Sequence, residues 1–444
     1  MRISVIGTGY VGLVSGVCFA EIGHDCVCVD LDRNKVDRIN RGEAPIHENG
    51  LAEMLARVVG KKLTATTDLR TAVLESDITF VAVGTPFDGK VIDLKYVRQV
   101  AAEIGAALRE KNNFHAVIVK STVVPGTTEK VVLPILEETS GKRAGVDFGV
   151  GMNPEFLTEG VAINDFMKPD RIVIGGNDDR TIELQRQAYA PFTHVPVLTT
   201  NNTTAEMIKY TSNSVLATMI SFSNEIGNLC SALGDVDVAD VMRGVHSSRY
   251  FTSLAADGRP IKAPITSFLW AGCGYGGSCL PKDTKALSAH GVAHGSPMPL
   301  LDAVIATNEG QPGRMLALLQ KHIPDLKGKQ VALLGLAFKE GTDDMRESPS
   351  ITLAKLLLDA GANVVGFDPI ARSTASAALP VGVALVDSLE LAIQGADALM
   401  LVTRWEEFQA VPALLKKLGV SPVVVDGRRV FEPSSLPVYE GIGR

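Results

Sequence analysis

A short apolar run, Ile3 to Ile6, ends in Gly7-Thr8-Gly9-Tyr10-Val11-Gly12, and a small-residue helical pattern follows through Glu21. Few features constrain a fold more tightly. Glycines so placed let the backbone turn sharply and let an anion approach, while the helix behind them aims its positive end at that anion. Gly23 closes the helix, a second apolar run covers Cys26 to Val29, and Asp30 ends it, roughly 20 residues past the glycines as the fingerprint requires. An acid there suits a ribose hydroxyl and repels a 2′-phosphate. The pattern therefore predicts a Rossmann-type unit binding NAD rather than NADP, with Arg33 and Lys35 as nearby basic residues.

Strand and helix patterns keep alternating. Ile78 to Val83 runs into Gly84-Thr85-Pro86, and His115 to Lys120 into Ser121-Thr122-Val123. Loops at the carboxyl ends of such strands line the ligand crevice, which makes Thr85 and Thr122 cofactor-site candidates; lone threonines also serve as turn or cap residues. Phe148 to Met152 leads into Asn153-Pro154-Glu155-Phe156-Leu157-Thr158-Glu159-Gly160. Its two carboxylates, four apart, fit either base chemistry or a solvated loop.

Thr203 with Glu206 three later has the capping-box spacing, and Ala205 to about Leu233 reads as one long helix spanning ~40 Å. Such a helix links domains and supports a dimer interface. Lys209 and Asn213 share one of its faces, with Asn224 near the same stripe. Residues 234–271 are the least readable stretch, and within it His246-Ser247-Ser248-Arg249-Tyr250-Phe251 and Asp257 to Pro264 look like loop. From Lys329 the early grammar returns without the glycine fingerprint: strand Gln330 to Leu334, helix Ile351 to Asp359, strand Val364 to Phe367, then strands Ala398 to Val402 and Val423 to Val425. The expected fold is α/β, two Rossmann-like doubly wound parallel-sheet domains joined by a long central helix. The expected boundaries are 1–198, 199–325 and 326–444.

At 444 residues the chain is too long for one core, and a formal net charge of −7 with mixed signs gives no basic surface for nucleic acid or a membrane. The longest apolar runs, such as Val331 to Phe338, are too short to span a bilayer, and a strand at the first residues leaves no room for a signal peptide. Cys18, Cys26, Cys28, Cys230, Cys273 and Cys279 show neither a disulfide framework nor zinc spacing. Reduced thiols in a cytoplasm are expected.

The chemistry concentrates in Gly272-Cys273-Gly274-Tyr275-Gly276-Gly277-Ser278-Cys279-Leu280-Pro281-Lys282-Asp283. Glycines around a cysteine allow a ligand to approach the sulfur, Lys282 favours thiolate, and Asp283 offers a carboxylate close to it on a helix starting near Pro281. Residues alone leave two readings, a reactive nucleophile or a glycine-rich turn around a buried thiol.

Together these motifs resemble the nucleotide-sugar 6-dehydrogenase family. The resemblance covers nearly the whole chain: Gly7 to Gly12 with Asp30, Val83 to Pro86, Ser121 to Val123, Asn153 to Glu159, Lys209 and Asn213, Gly276 to Asp283, and Phe338-Lys339 with Thr342 to Ser348. It implies a four-electron oxidation of a sugar C6 alcohol to a carboxylate, reducing two NAD in turn without a metal, in a homodimer or larger homo-oligomer. It implies Cys279 as nucleophile, Lys209 and Asn213 as oxyanion stabilisers, Asp283 and Thr122 as the pair ordering a water, and Glu159 as base. On the cofactor side it places Gly7, Gly9, Tyr10, Val11, Gly12, Asp30 and Lys35, then Thr85, Thr122, Glu155, Lys282 and Arg346. On the substrate side it places Glu155, Phe156, Leu157 and Glu159, then Lys209, Asn213, Tyr275, Gly276, Lys339 and Arg428.

The segment Pro169 to Gly175 resembles the UDP-glucose branch more than the GDP-mannose branch, which stands as the alternative. Asn153 to Leu157 argues against UDP-N-acetylhexosamines. Ser248 to Phe251 stands where the family carries an arginine that reaches the partner subunit's site, and the loop after it, which holds Arg259, is longer than usual. Two further classes compete on residues alone: a two-electron hydroxyacid dehydrogenase, which has no use for Cys279, and a non-catalytic NAD-binding module.

Overall fold

Val- and Ile-rich runs of four or five residues are too short for buried helices and become strands. The computed structural model describes residues 1–255 and 257–444, divided between two units, Met1–Ser212 and Asn213–Arg444. In the first unit β1 (Arg2–Ile6), β2 (Asp25–Val29), β3 (Leu63–Thr66), β4 (Ile78–Val81), β5 (His115–Val119), β6 (Phe148–Met152), β7 (Ile172–Gly176) and β8 (Val197–Thr200) form one sheet. Their order is β3-β2-β1-β4-β5-β6-β7-β8, and every pair is parallel except β6 with β7. Sheet order reverses between β1 and β4, so the loops after these two strands flank the crevice where doubly wound sheets bind ligands. Phe19, from the helix after β1, stacks on Phe80 of β4 at 5.0 Å and meets Phe166 edge-on at 5.1 Å.

In the second unit β9 (Thr252–Leu254) and β10 (Pro260–Lys262) make an antiparallel hairpin. β11 (Gln330–Leu334), β12 (Asn363–Phe367), β13 (Ala384–Leu385), β14 (Ala398–Leu401), β15 (Val423–Asp426) and β16 (Tyr439–Gly441) form an all-parallel sheet ordered β13-β12-β11-β14-β15-β16. That order repeats the first six strands of the other sheet. Asp368, after β12, stands where Asp30 stands after β2, but its carboxylate accepts from the backbone N–H groups of Leu336, Ala337, Ile370 and Ala371.

Two local expectations need correction. The long helix runs Asn202–Leu233, and its cap is Asn201, whose side chain accepts from Thr204 N–H at 2.8 Å. Glu206 forms no capping box with Thr203; its carboxylate turns to the loop after β5 and accepts from Gly126 N–H at 2.5 Å, Thr128 N–H at 2.8 Å and the Thr128 hydroxyl at 2.7 Å. The second loop reading, Asp257 to Pro264, gives way at strand β10, and the least readable stretch around it also holds a helix. A helix, Val238–His246, is capped by Asp237, and buries Val238, Met242 and His246 at four-residue spacing. Nine residues make too short a stripe to stand out from sequence.

Candidate functional site

The glycine loop's geometry fits an approaching anion. Gly7 takes φ +98°, and a methyl group there would lie 2.6 Å from the Ala82 carbonyl oxygen; one on Gly12 would lie 1.9 Å from the Gly7 oxygen. These two glycines are required by the packing of strand, turn and helix. Gly9, the N-cap of helix Tyr10–Glu21, is different, with nothing within 4 Å of where its Cβ would stand. The open face, the helix N-terminus, and Val11 in the first turn fit a pyrophosphate. Asp30 accepts from Thr8 N–H at 2.9 Å, the Thr8 hydroxyl at 2.6 Å and Asp32 N–H at 3.0 Å. Burial raises its pKa, but those donors and Lys35 outweigh burial and hold the carboxyl below its ordinary value. A fixed anion at this point fits a ribose diol. The loops after β4 and β5 are laced together, because the Thr85 hydroxyl donates to the Thr122 carbonyl at 2.7 Å and the Ser121 hydroxyl to the Val83 carbonyl at 2.7 Å.

The Asn153–Gly160 segment leaves the end of β6 carrying an ion pair. Glu155 meets Lys209 at 2.8 Å, with side chains 5 % and 4 % exposed, and also accepts from Leu157 N–H at 2.7 Å. Burial pushes the Glu155 carboxyl up, but Lys209, the Leu157 amide and Lys120 overcome it and leave its pKa lowered. Phe156 lies under the Arg171 guanidinium at 3.9 Å from the ring centroid, with the Lys209 amine at 5.6 Å. Leu157 and Glu159 are half-buried. A solvated loop is thereby excluded for Glu155.

Sequence reasoning missed Lys120 at this cluster. Its amine is buried, donates to Asn153 Oδ1 at 2.9 Å and lies 3.3 Å from the Tyr189 hydroxyl. Burial drops its pKa to about 8, with Glu155 opposing the shift and Lys209 adding to it. Its only sequence signal is a lysine directly after β5 and just before Ser121-Thr122.

In the second unit Cys279 is the N-cap of helix Leu280–Ala293, where the helix dipole favours negative charge on a capping group. It is half-buried, and its sulfur lies 3.4 Å from the Ser278 hydroxyl. One turn on, buried Asp283 is held at both oxygens: Asn213 Nδ2 donates at 2.7 Å and Lys282 Nζ at 2.5 Å. Lys209 and Asn213 thus occupy consecutive turns of one helix, each committed to a buried carboxylate.

Glycines shape the cysteine loop through close approach. A Cβ on Gly276 would lie 2.2 Å from the Glu347 carbonyl oxygen, and one on Gly277, at φ +86°, 2.8 Å from the Phe338 ring. Gly277 N–H donates to the Arg346 carbonyl at 2.8 Å, while the Tyr275 backbone exchanges two hydrogen bonds with Asn308. Arg346 points its guanidinium at Asp344, and the Lys339 amine sits 5.9 Å from the Phe338 ring centroid. Arg428 donates to the Val402 carbonyl at 2.7 Å, and its Nη1 would be 3.1 Å from a Cβ on Gly272. Cys273 is buried, its thiol donating to the same Val402 carbonyl.

Family models for the UDP-glucose/GDP-mannose dehydrogenase family match along the chain: the NAD binding domain at residues 1–193, the central domain at 203–310 and the UDP binding domain at 332–433. The chain belongs to this family. Family membership supplies NAD as the cofactor, and the glycine cradle and Asp30 fit that group. The UDP-glucose 6-dehydrogenase AglM of Haloferax volcanii is 45 % identical over 447 residues, covering 100 % of both chains. The UDP-glucose 6-dehydrogenase of Pseudomonas aeruginosa is 42 % identical over 461 residues, covering 100 % of this chain and 98 % of the relative. A UDP-glucose dehydrogenase structure from Pyrobaculum islandicum superposes with TM-score 0.90 at 38 % identity, covering 100 % of this chain and 97 % of that one. The GDP-mannose 6-dehydrogenase of Pseudomonas aeruginosa, at 42 % identity, matches over a shorter stretch, 83 % of this chain. A full-length match of this kind leaves no place for the hydroxyacid dehydrogenase reading.

Proposed function

We propose that this chain is an NAD-dependent UDP-glucose 6-dehydrogenase that oxidises the C6 alcohol of UDP-glucose to the carboxylate of UDP-glucuronate. The observation that carries the chemistry is Cys279 at a helix N-terminus, with Asp283 one turn on clamped between Asn213 and Lys282. Bound NAD supplies the hydride acceptor, one molecule for each oxidation.

The first oxidation takes a hydride and a proton from the alcohol. The resulting aldehyde has no ready second hydride until a nucleophile adds, and the Cys279 thiolate adds to give a thiohemiacetal. Loss of hydride from that adduct leaves a thioester. Lys209 and Asn213 stabilise the oxyanions of these steps, a role in which one lost donor costs ~3 kcal/mol. Asp283 and Thr122 order the water that attacks the thioester, and Glu159 takes its proton. Lys339, Arg428, Tyr275 and Gly276, with Phe156 and Leu157, hold the nucleotide sugar, while Glu155, Lys282 and Arg346 serve the cofactor side. The working divisions are an NAD domain over 1–198, a central helical domain over 199–325 and a UDP domain over 326–444.

The same reading includes a homodimer. Val215, Phe222 and Leu229 recur every seven residues along the long helix and are 42 %, 52 % and 55 % exposed, a seam that a second copy of the helix would bury. No described helix is long and apolar enough to cross a membrane. The six cysteines form no disulfide, which suits a reducing cytoplasm.

Limiting UDP-glucose with excess NAD tests the proposal. Two NADH per sugar are expected. One would mean that oxidation stops at the aldehyde and that Cys279 has another role; none with UDP-glucose but two with GDP-mannose would move the substrate.

A further inference from the structure

Gly160, which follows Glu159, is gripped by three side chains from two distant segments. Its N–H donates to the Glu48 carboxylate at 2.6 Å and to the Tyr10 hydroxyl at 3.1 Å, and its carbonyl accepts from Asn49 Nδ2 at 2.8 Å. The Tyr10 hydroxyl donates to Glu48, whose other oxygen accepts from Ala162 N–H at 2.8 Å. Glu48 is buried and Gly160 takes φ +86°, a left-handed conformation that favours glycine, so these three side chains hold the residue after Glu159 by its backbone.

A remote helix cap explains part of this. Helix Ala162–Met167 has no side-chain cap of its own, and its first N–H groups need acceptors, which Glu48 supplies. Capping explains neither Tyr10 nor Asn49. Tyr10 opens the helix whose N-terminus receives the NAD pyrophosphate, and burial together with Glu48 raises its pKa, so its hydroxyl stays a donor. Glu159 lies near enough to Tyr10 to act on it electrostatically.

We propose that Tyr10, Glu48 and Asn49 are positioning residues that aim Glu159 for hydrolysis of the Cys279 thioester, tying the base to the loop that binds the cofactor. The inference rests on the reading of Glu159 as base. In that step the water oxygen bonds to the thioester carbon, Glu159 takes the water proton, the C–S bond breaks, and sulfur leaves as the Cys279 thiolate; nothing is oxidised or reduced. Loss of aim slows this step and spares both hydride transfers, so acyl-enzyme accumulates.

Tyr10→Phe, Glu48→Gln, Asn49→Ala and Glu159→Gln, each in the full chain, are compared by steady-state kinetics and by intact mass after rapid mixing with UDP-glucose and NAD. For the first three, kcat is expected to fall about tenfold, part of the roughly 10²–10⁴-fold that a well-placed general base contributes. The KM for NAD should stay within about twofold in Glu48→Gln and Asn49→Ala, neither of which lies on the cofactor side, and in all three the mass of a UDP-glucuronyl adduct should appear on the protein. Should Glu48→Gln fail to fold, Tyr10→Phe and Asn49→Ala keep the cap and carry the test. An adduct in Glu159→Gln but in neither Tyr10→Phe nor Asn49→Ala would overturn the positioning proposal. No adduct in Glu159→Gln itself would overturn the base reading, and the positioning proposal with it.

Discussion

Lys209 and Glu155 form an ion pair at 2.8 Å almost wholly out of contact with solvent. Removing one partner leaves the other charge buried and uncompensated, which typically costs 3–5 kcal/mol, whereas removing both relieves that penalty. Lys209→Met and Glu155→Gln should therefore each destabilise by roughly 3 kcal/mol in urea unfolding, and the double variant by clearly less than the sum. A strictly additive result would show that the charges do not interact. Because the pKa of Glu155 is lowered on folding, its stabilisation is complete above the ordinary carboxylate range and fades as pH falls through it. The stability gap between wild type and Glu155→Gln should accordingly shrink below about pH 4.

Lys120 predicts the alkaline counterpart. Its folded pKa, about 8, lies below the ordinary lysine value of 10.5, so folding releases a proton between the two. Stability from this group is fully present above about pH 10.5 and is lost as pH falls toward 8. Wild type should gain on Lys120→Met across that window, by up to about 3 kcal/mol. Parallel stability curves for the two proteins would mean that Lys120 carries the same charge folded and unfolded.

Lys120 also marks where sequence reading ends. Gly7 to Gly12 and Asp30 are legible because their chemistry is local: turn, helix start and acid sit within one strand-helix-strand unit. The Cys279 motif is legible for the same reason, since glycines, cysteine, Lys282 and Asp283 lie on one loop and the helix it opens. Lys120 becomes a site residue only through Asn153, Glu155, Tyr189 and Lys209, which the sheet brings to it. Glu48 likewise gains meaning only from Gly160 and Ala162, and Glu206 shows the reverse error. Its spacing from Thr203 satisfied the local rule, but Gly126 and Thr128 supplied better donors from another element.

The apolar seam on the long helix makes oligomeric state testable without touching the chemistry. Phe222 is the middle of three residues at heptad spacing and is 52 % exposed, so a charge there has little effect on the isolated fold. If a second helix covers the seam, Phe222→Glu buries two like charges near the twofold axis. Light scattering should then give the dimer mass for wild type and the monomer mass for the variant, with an unchanged circular dichroism spectrum. A dimer that survives the substitution would place the interface elsewhere.

Gly9 and Gly12 belong to one motif, but the structure assigns them opposite duties. A methyl group on Gly12 would overlap the Gly7 carbonyl oxygen at 1.9 Å, so Gly12→Ala must shift the turn against the helix. Destabilisation of about 1–3 kcal/mol or more is expected for such overpacking. Gly9 has an ordinary φ of −67° and no atom within 4 Å of its Cβ position, so Gly9→Ala should melt within about 1 °C of wild type when no NAD is present. If the pyrophosphate reaches the backbone at this face, the methyl group would occupy its space, and NAD affinity should fall roughly tenfold, or ~1.4 kcal/mol. Thermal melts paired with calorimetric NAD titrations separate the two effects. Wild-type NAD binding by Gly9→Ala would mean that the pyrophosphate lies off this face, and the helix N-terminus would then lose its role as the anion site.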